Sequence, residues 1–210
     1  MDFETHLGAV ARSVEEGERG GRQVRSVKLT RTYATGIKDL WDAVTNPERL
    51  PRWFAPVTGE LRQGGRYQVQ GNAGGTIETC RPPRHFFATW EFAGETSWVE
   101  LRLAEEATGE TRLTLTHICP VSDHWRKFGP GAVGVGWDLG LLGLAFHLSE
   151  PDVRFDEEKL ATDPAGRAYI LGASEDWGRA DVASGEAEDQ ARLAARRTGA
   201  FYTGQPFEES

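Results

Sequence analysis

The sequence predicts an α+β fold in which a curved antiparallel sheet wraps one long apolar helix. Three observations carry this expectation. Six short segments of strand character follow one another between residues 58 and 119, joined by short links rich in Gly or Pro. One strand and two short helical stretches precede them. A long apolar segment over 132–148 follows, with Val133, Trp137, Leu141, Leu144 and Leu148 repeating at helical spacing. Links this short join antiparallel neighbours, because parallel pairing needs a crossover.

The elements follow in order. Over 3–16, Leu7, Val10 and Val14 predict a short amphipathic helix, and a Gly-rich link over 17–21 ends it. Residues 24–35 alternate around Val27, Leu29 and Tyr33, the pattern of a strand. Gly36 breaks that strand, and Ile37, Leu40, Trp41 and Val44 line one face of a helix. Asn46-Pro47 reads as an N-cap and first-turn proline of a second short helix carrying Leu50, Trp53 and Phe54. The meander strands are expected at 58–62, 66–71, 76–80, 85–92, 97–105 and 111–119. Inside the long helix, Gly136, Gly140 and Gly143 each cost about 1 kcal/mol relative to Ala. Their presence predicts close approach of a sheet, a helix or a ligand. Further on, Asp163-Pro164 opens a helix with Tyr169, Ala173, Trp177 and Ala180. Ser184 is expected to cap a last helix with Ala187, Ala191, Ala194 and Phe201. The expected organisation is an arm over 1–23, a main domain over 24–149, and a helical extension over 150–210 that docks on it. The extension's own core is too small to fold alone.

Strand register follows from the pattern, since a one-residue slip turns every side chain to the other face. Phe92 opposite Ser97 sets Trp90 against Val99, Ala88 against Leu101 and Phe86 against Leu103, an apolar face. Leu103 opposite Leu113 sets Leu101 against Leu115 and Val99 against His117, so His117 joins that face beside Trp90. For 76–80 two registers remain open: Ile77 and Thr79 inward, or Glu78 and Cys80 inward.

Composition narrows the function classes. The 210 residues carry 24 Lys plus Arg and 32 Asp plus Glu, a net charge of -8. Such an acidic chain repels a phosphate backbone, so no nucleic-acid partner is expected. Two cysteines, Cys80 and Cys119, are too few for a disulfide framework. With His117 and His124 they match no zinc spacing, so no metal is expected. The loops around Gly64-Gly65 and Gly71–Gly75 lack the phosphate-loop pattern and read as turns. Asp138, His147 and five glycines weaken a membrane-spanning reading of 131–148. No secretory leader is read in 1–20, and a cytoplasmic protein is expected.

Specific stretches then carry a resemblance. They are Trp41-Asp42-Ala43 with Asn46-Pro47-Glu48, Trp53-Phe54, Gly64-Gly65, Arg81-Pro82-Pro83-Arg84 before Thr89-Trp90-Glu91, and Gly136-Trp137 with Leu141-Leu142. In this order, over about 24–149, the chain resembles the SRPBCC (START-like) superfamily, in the branch named after Hsp90 ATPase activator homologues. The resemblance implies a helix-grip fold and a cavity for an apolar or amphipathic small molecule. Members range from lipid and hormone carriers to aromatic polyketide cyclases, and bacterial members of this branch often end in extra helices.

The candidate pocket combines this fold with the register. Its apolar walls are Phe54, Trp90, Val99, Leu101, Leu115, Trp137, Leu141 and Leu144. His117, with Tyr67 and Glu78, would orient the ligand, and no cofactor is expected. Three functions follow. The first is binding of a hydrophobic or aromatic small molecule. The second is a cyclase-like or hydrolase-like enzyme in which His117 moves a proton. The third is a chaperone partner acting through its outer surface. Whether the protein forms a homodimer is left open.

Overall fold

The computed structural model describes residues 2–150 and 155–207. The parts of the expected extension at 151–154 and 208–210 lie outside these residues. Eight strands form one sheet in the order β1-β2-β8-β7-β6-β5-β4-β3. They are β1 (Ala11–Arg19), β2 (Arg22–Tyr33), β3 (Val57–Gly59), β4 (Arg66–Val69), β5 (Gly74–Arg81), β6 (His85–Phe92), β7 (Glu95–Ala107) and β8 (Glu110–Pro120). The helices are α1 (Phe3–Gly8), α2 (Ile37–Thr45), α3 (Asp123–Phe128), α4 (Gly131–Ser149), α5 (Glu157–Thr162), α6 (Pro164–Ala183) and α7 (Glu188–Thr203). This is the expected α+β plan, with β3 to β8 as a continuous meander and α4 as the long helix.

The differences have local causes. The arm is a helix only to Gly8; residues 11–19 form strand β1, and Gly20-Gly21, both at positive φ, turn it into β2. The short spacing of Leu7, Val10 and Val14 fits a helix, but Glu15 to Glu18 add no apolar residue to continue it. The second short helix shrinks to a 3₁₀ turn, Leu50–Arg52. Pro51 lacks the amide that would extend the ladder. Ser184 does not cap α7; it ends α6, its hydroxyl bonded to the Asp181 carbonyl at 2.8 Å. Phe201 is exposed rather than part of the buried stripe. Asp163 caps α6 as expected, accepting from the amides of Ala165 and Gly166 at 2.9 and 3.0 Å.

The β6–β7 hairpin closes two residues tighter than expected. Phe92 faces Glu95, Trp90 faces Ser97 and Ala88 faces Val99. Ala93 and Gly94 both take positive φ, 51° and 83°, making a two-residue turn suited to the sheet's twist. A slip of two residues leaves every side chain on its expected face. The β7–β8 register is the expected one, with Leu101 opposite Leu115 and Val99 opposite His117. In β5 a bulge between Ile77 and Thr79 lets both alternatives hold in part. Ile77 pairs with Ala88 before it and Cys80 pairs with Phe86 after it.

The chain divides into two compact units. One comprises Thr30–Cys119 and Gly140–Phe155; the other comprises Met1–Leu29, Pro120–Leu139 and Asp156–Ser210. In the latter, small residues let helices meet closely. A Cβ on Gly134 would lie 2.3 Å from the Trp177 ring, and one on Gly178 would lie 3.0 Å from Ala195 Cβ. Tyr202 donates to the Ala132 carbonyl at 3.1 Å, and Thr198 donates to Phe128 at 2.8 Å. Asp138 is fully buried here, pairs with Arg12 at 2.8 Å and accepts from the Trp177 indole at 2.8 Å.

Helix α4 is buried nearly all round, so its apolar length is that of a core helix. Its glycines are not equivalent. A Cβ on Gly143 would meet the Trp53 carbonyl at 2.6 Å and the Phe155 ring at 2.8 Å. One on the buried Gly140 would meet nothing within 4 Å. Gly140→Ala is therefore expected to raise the unfolding free energy by about 1 kcal/mol through helix propensity. Gly134→Ala and Gly143→Ala are expected to lower it by about 1–3 kcal/mol through overpacking. Denaturant unfolding of the three variants checks the sign.

Candidate functional site

One face of β6, β7 and β8 gathers much of the expected pocket. Val99, Leu101, Leu115 and His117 are each buried, and the alternation of the strands turns them to the same side. Trp90, half-buried, presents its ring edge-on to His117 with centroids 5.9 Å apart. Tyr67 adds a ring 6.5 Å from Trp90. Its hydroxyl, however, donates to the Thr89 carbonyl at 2.6 Å, so it fastens β4 toward β6. Burial, with the nearby Glu91 carboxylate, pushes the Tyr67 pKa up and keeps it a neutral donor.

His117 is the polar group on this face, 4% exposed. Its Nε2 lies 2.8 Å from Ser97 Oγ, and that hydroxyl is also 3.1 Å from the Trp90 carbonyl. Ser97 has one proton and the carbonyl can only accept, so the hydroxyl donates to Trp90 and accepts from His117 Nε2–H. Nδ1 is then the accepting nitrogen of the ring. Burial drives the His117 pKa down to about 4, so the imidazole is neutral at pH 7. A neutral ring offers hydrogen bonds; acting as a general acid would first require protonation against that shift.

The other expected residues take different places. Glu78 is exposed at the β5 bulge, so it is not brought inward with His117. The bulge sets this, and no sequence pattern marked it. Phe54 is half-buried with its ring 5.6 Å from that of Trp53, whose indole donates to the Ala43 carbonyl at 3.0 Å. Leu141 and Leu144 are buried on the second half of α4, and Tyr33 donates to the Leu141 carbonyl at 3.0 Å. Trp137, half-buried, lies on the first half of α4, in the other unit. Cys119 is buried and its thiol pushed up to about 12 by burial and then by Glu95, which leaves it unreactive.

A second polar cluster was not anticipated from the sequence. Arg49 donates through Nε to His147 Nε2 at 3.1 Å. Its Nη1 bonds Asp39 and Asp42 carboxylates at 2.8 and 3.0 Å. Burial, then the charges of Arg49 and Arg52, lowers the His147 pKa and keeps that ring neutral too. The available signal was spacing: His147 lies seven residues after Gly140, on the same side of the helix.

Comparison with known proteins places this architecture. No curated protein matches the chain. The crystal structure of CalU16 from Micromonospora echinospora is 31% identical, covering 82% of this chain and 98% of that one with a TM-score of 0.67. The solution structure of CalU16 from the same organism is 30% identical, covering 84% and 97% with a TM-score of 0.70. An HSP90 activator from Plasmodium falciparum shares the fold at 22% identity, covering 59% of this chain and 94% of that one with a TM-score of 0.51. The profile described as "Activator of Hsp90 ATPase homolog 1-like protein" matches residues 34–145, which takes in α2, the meander and most of the long helix. With that match across more than half its length, the chain belongs to the Activator of Hsp90 ATPase homolog 1-like protein family.

Proposed function

We propose that the protein binds a hydrophobic or aromatic small molecule in an interior space between the meander and the second half of α4. The observation that carries the reading is Gly140. It is a buried helix residue at which an added Cβ would meet nothing within 4 Å. Close-packed interiors seldom leave such room. Trp90, Val99, Leu101, Leu115, Leu141 and Leu144 supply apolar surface, and His117 is a neutral polar group set within it. Many apolar walls with few polar groups is the composition of a small-molecule site.

Native mass spectrometry of freshly purified protein, followed by denaturing extraction, tests this. The expected result is a discrete extra mass of roughly a few hundred daltons. Gly140→Leu, which fills the space, is expected to lose that mass while staying folded. Wild-type protein with no extra mass, and no thermal shift with fatty acids, sterols or aromatic polyketides, overturns the reading.

A further inference from the structure

We propose that the α6–α7 hairpin is a proton-controlled clasp, closed when the Asp181 carboxyl carries a proton and loosened when it is ionised. Small residues make the seam between the two helices. A Cβ on Gly178 would lie 3.0 Å from Ala195 Cβ and 3.4 Å from the Ala191 carbonyl oxygen, and one on Gly199 would lie 3.6 Å from Ser174 Oγ. Asp181 is the next residue on that stripe of α6, one turn after Gly178. It is 5% exposed. A Cβ on Gly129, in the link between α3 and α4, would lie 3.2 Å from Ala194 Cβ and 3.3 Å from Asp181 Oδ2. The carboxyl therefore sits where α6, α7 and that link meet. None of these residues belongs to the proposed small-molecule site.

On balance the surroundings disfavour a charge. The Asp181 side chain has no hydrogen bond or ion pair among the described residues. It lies in the last turn of α6, where the helix dipole presents its negative end. Two charged groups among the described residues bear on it. Glu186, just past the helix, repels a second carboxylate. Arg25 on β2 attracts it, but that guanidinium is already held by Glu16 of β1. Helix α7 faces the seam with Ala191, Ala194 and Ala195, while its Arg192 bonds Glu188. The α3–α4 link brings Gly129 and Pro130, which carry no charge. Burial, then Glu186, pushes the Asp181 pKa up to about 6. Opening the seam hydrates the carboxyl and returns it to its ordinary value of 3.8. The closed state has the higher pKa, so closure is fully supported below pH 3.8 and loses that support as pH rises through 6. Helix α7 also carries Thr198 and Tyr202, whose hydroxyls donate to the Phe128 and Ala132 carbonyls at 2.8 and 3.1 Å. Loosening α7 weakens these ties to the end of α3 and the first turn of α4.

Amide hydrogen exchange along α7 tests this, with each rate taken relative to its intrinsic rate at the same pH. In wild-type protein the protection of residues 191–199 is expected to fall by roughly a hundredfold between pH 4 and pH 7, the factor that a pKa of about 6 against 3.8 implies. Asp181→Asn, which cannot ionise, is expected to show no such fall. Amides of β7 and β8 serve as the internal control and should not lose protection over this range. The Asp181 carboxyl carbon resonance gives a second measurement on wild-type protein, which stands if Asp181→Asn fails to fold. Its titration midpoint is expected at about pH 6. Equal pH dependence in wild type and Asp181→Asn, a loss of protection shared by β7 and β8, or a midpoint at the ordinary value of 3.8 overturns the clasp.

Discussion

Arg12→Ala is expected to lower the unfolding free energy by about 3–5 kcal/mol, the usual cost of stranding one partner of a buried ion pair. The Asp138 side chain is wholly buried and that of Arg12 nearly so. Arg12 Nη2 bonds Asp138 Oδ1 at 2.8 Å, and Nε reaches both oxygens at 3.2 and 3.1 Å. Trp177 Nε1 adds a donor to Oδ2 at 2.8 Å. Burial pushes the Asp138 carboxyl pKa up, and the guanidinium and indole N–H oppose it. Without Arg12 the carboxylate keeps, among the described residues, the indole donor of Trp177. The guanidinium also holds Asp176 at 2.9 Å and the carbonyls of Leu7 and Val10, so α1, β1, α4 and α6 all lose a tie. Asp138→Leu should cost a similar amount for the converse reason. The double variant Arg12→Ala with Asp138→Leu should be less damaging than the two single losses added together. Denaturant unfolding of all four proteins decides the matter. A loss below about 1 kcal/mol for Arg12→Ala would mean that the pair does not hold this unit together.

Acid should destabilise the protein through His117 by about 3 kcal/mol. In the unfolded chain this imidazole has its ordinary pKa of 6.5, and in the fold burial drops it to about 4. Between these values the unfolded chain binds a proton that the folded one does not. Stability is therefore full above pH 6.5, declines as pH falls toward 4, and takes no further loss from this group below that. His117→Gln places an amide near the position of Nε2 and does not titrate. Wild type should lose more stability than His117→Gln between pH 7 and pH 4, and the excess is the His117 contribution. Carboxylates titrate in both proteins and cancel in the difference. Parallel profiles would show that the ring is not held neutral in the fold.

Much of the meander was legible because its cues are local. His85 to Phe92 was placed end to end, and the pairing of Leu101 with Leu115 and of Val99 with His117 followed from the requirement of one apolar face. His117 beside Trp90 came with it. The β6–β7 slip arose because turn length depends on Ala93 accepting positive φ, which its residue type does not advertise. Helices α3 and α5 were missed although Ser122 and Asp156 cap them, each being too short to show a period. Gly75 was read as a turn but lies in β5, where a Cβ would sit 2.0 Å from the Thr89 carbonyl.

The amino-acid order by itself determined the fold class, the strand faces and the side of the sheet that receives His117. Those follow from periodicity and apolar patterning, properties of near neighbours in the chain. Only the tertiary structure decided that Glu78 is exposed, that Asp138 joins Arg12 across 126 positions, and that Arg49 bonds His147 across 98. It also separated Gly140 from Gly134 and Gly143, which look alike in sequence but differ in what lies where a side chain would be. Such contacts join residues distant in the chain, and pattern within a window carries no information about which distant groups will meet.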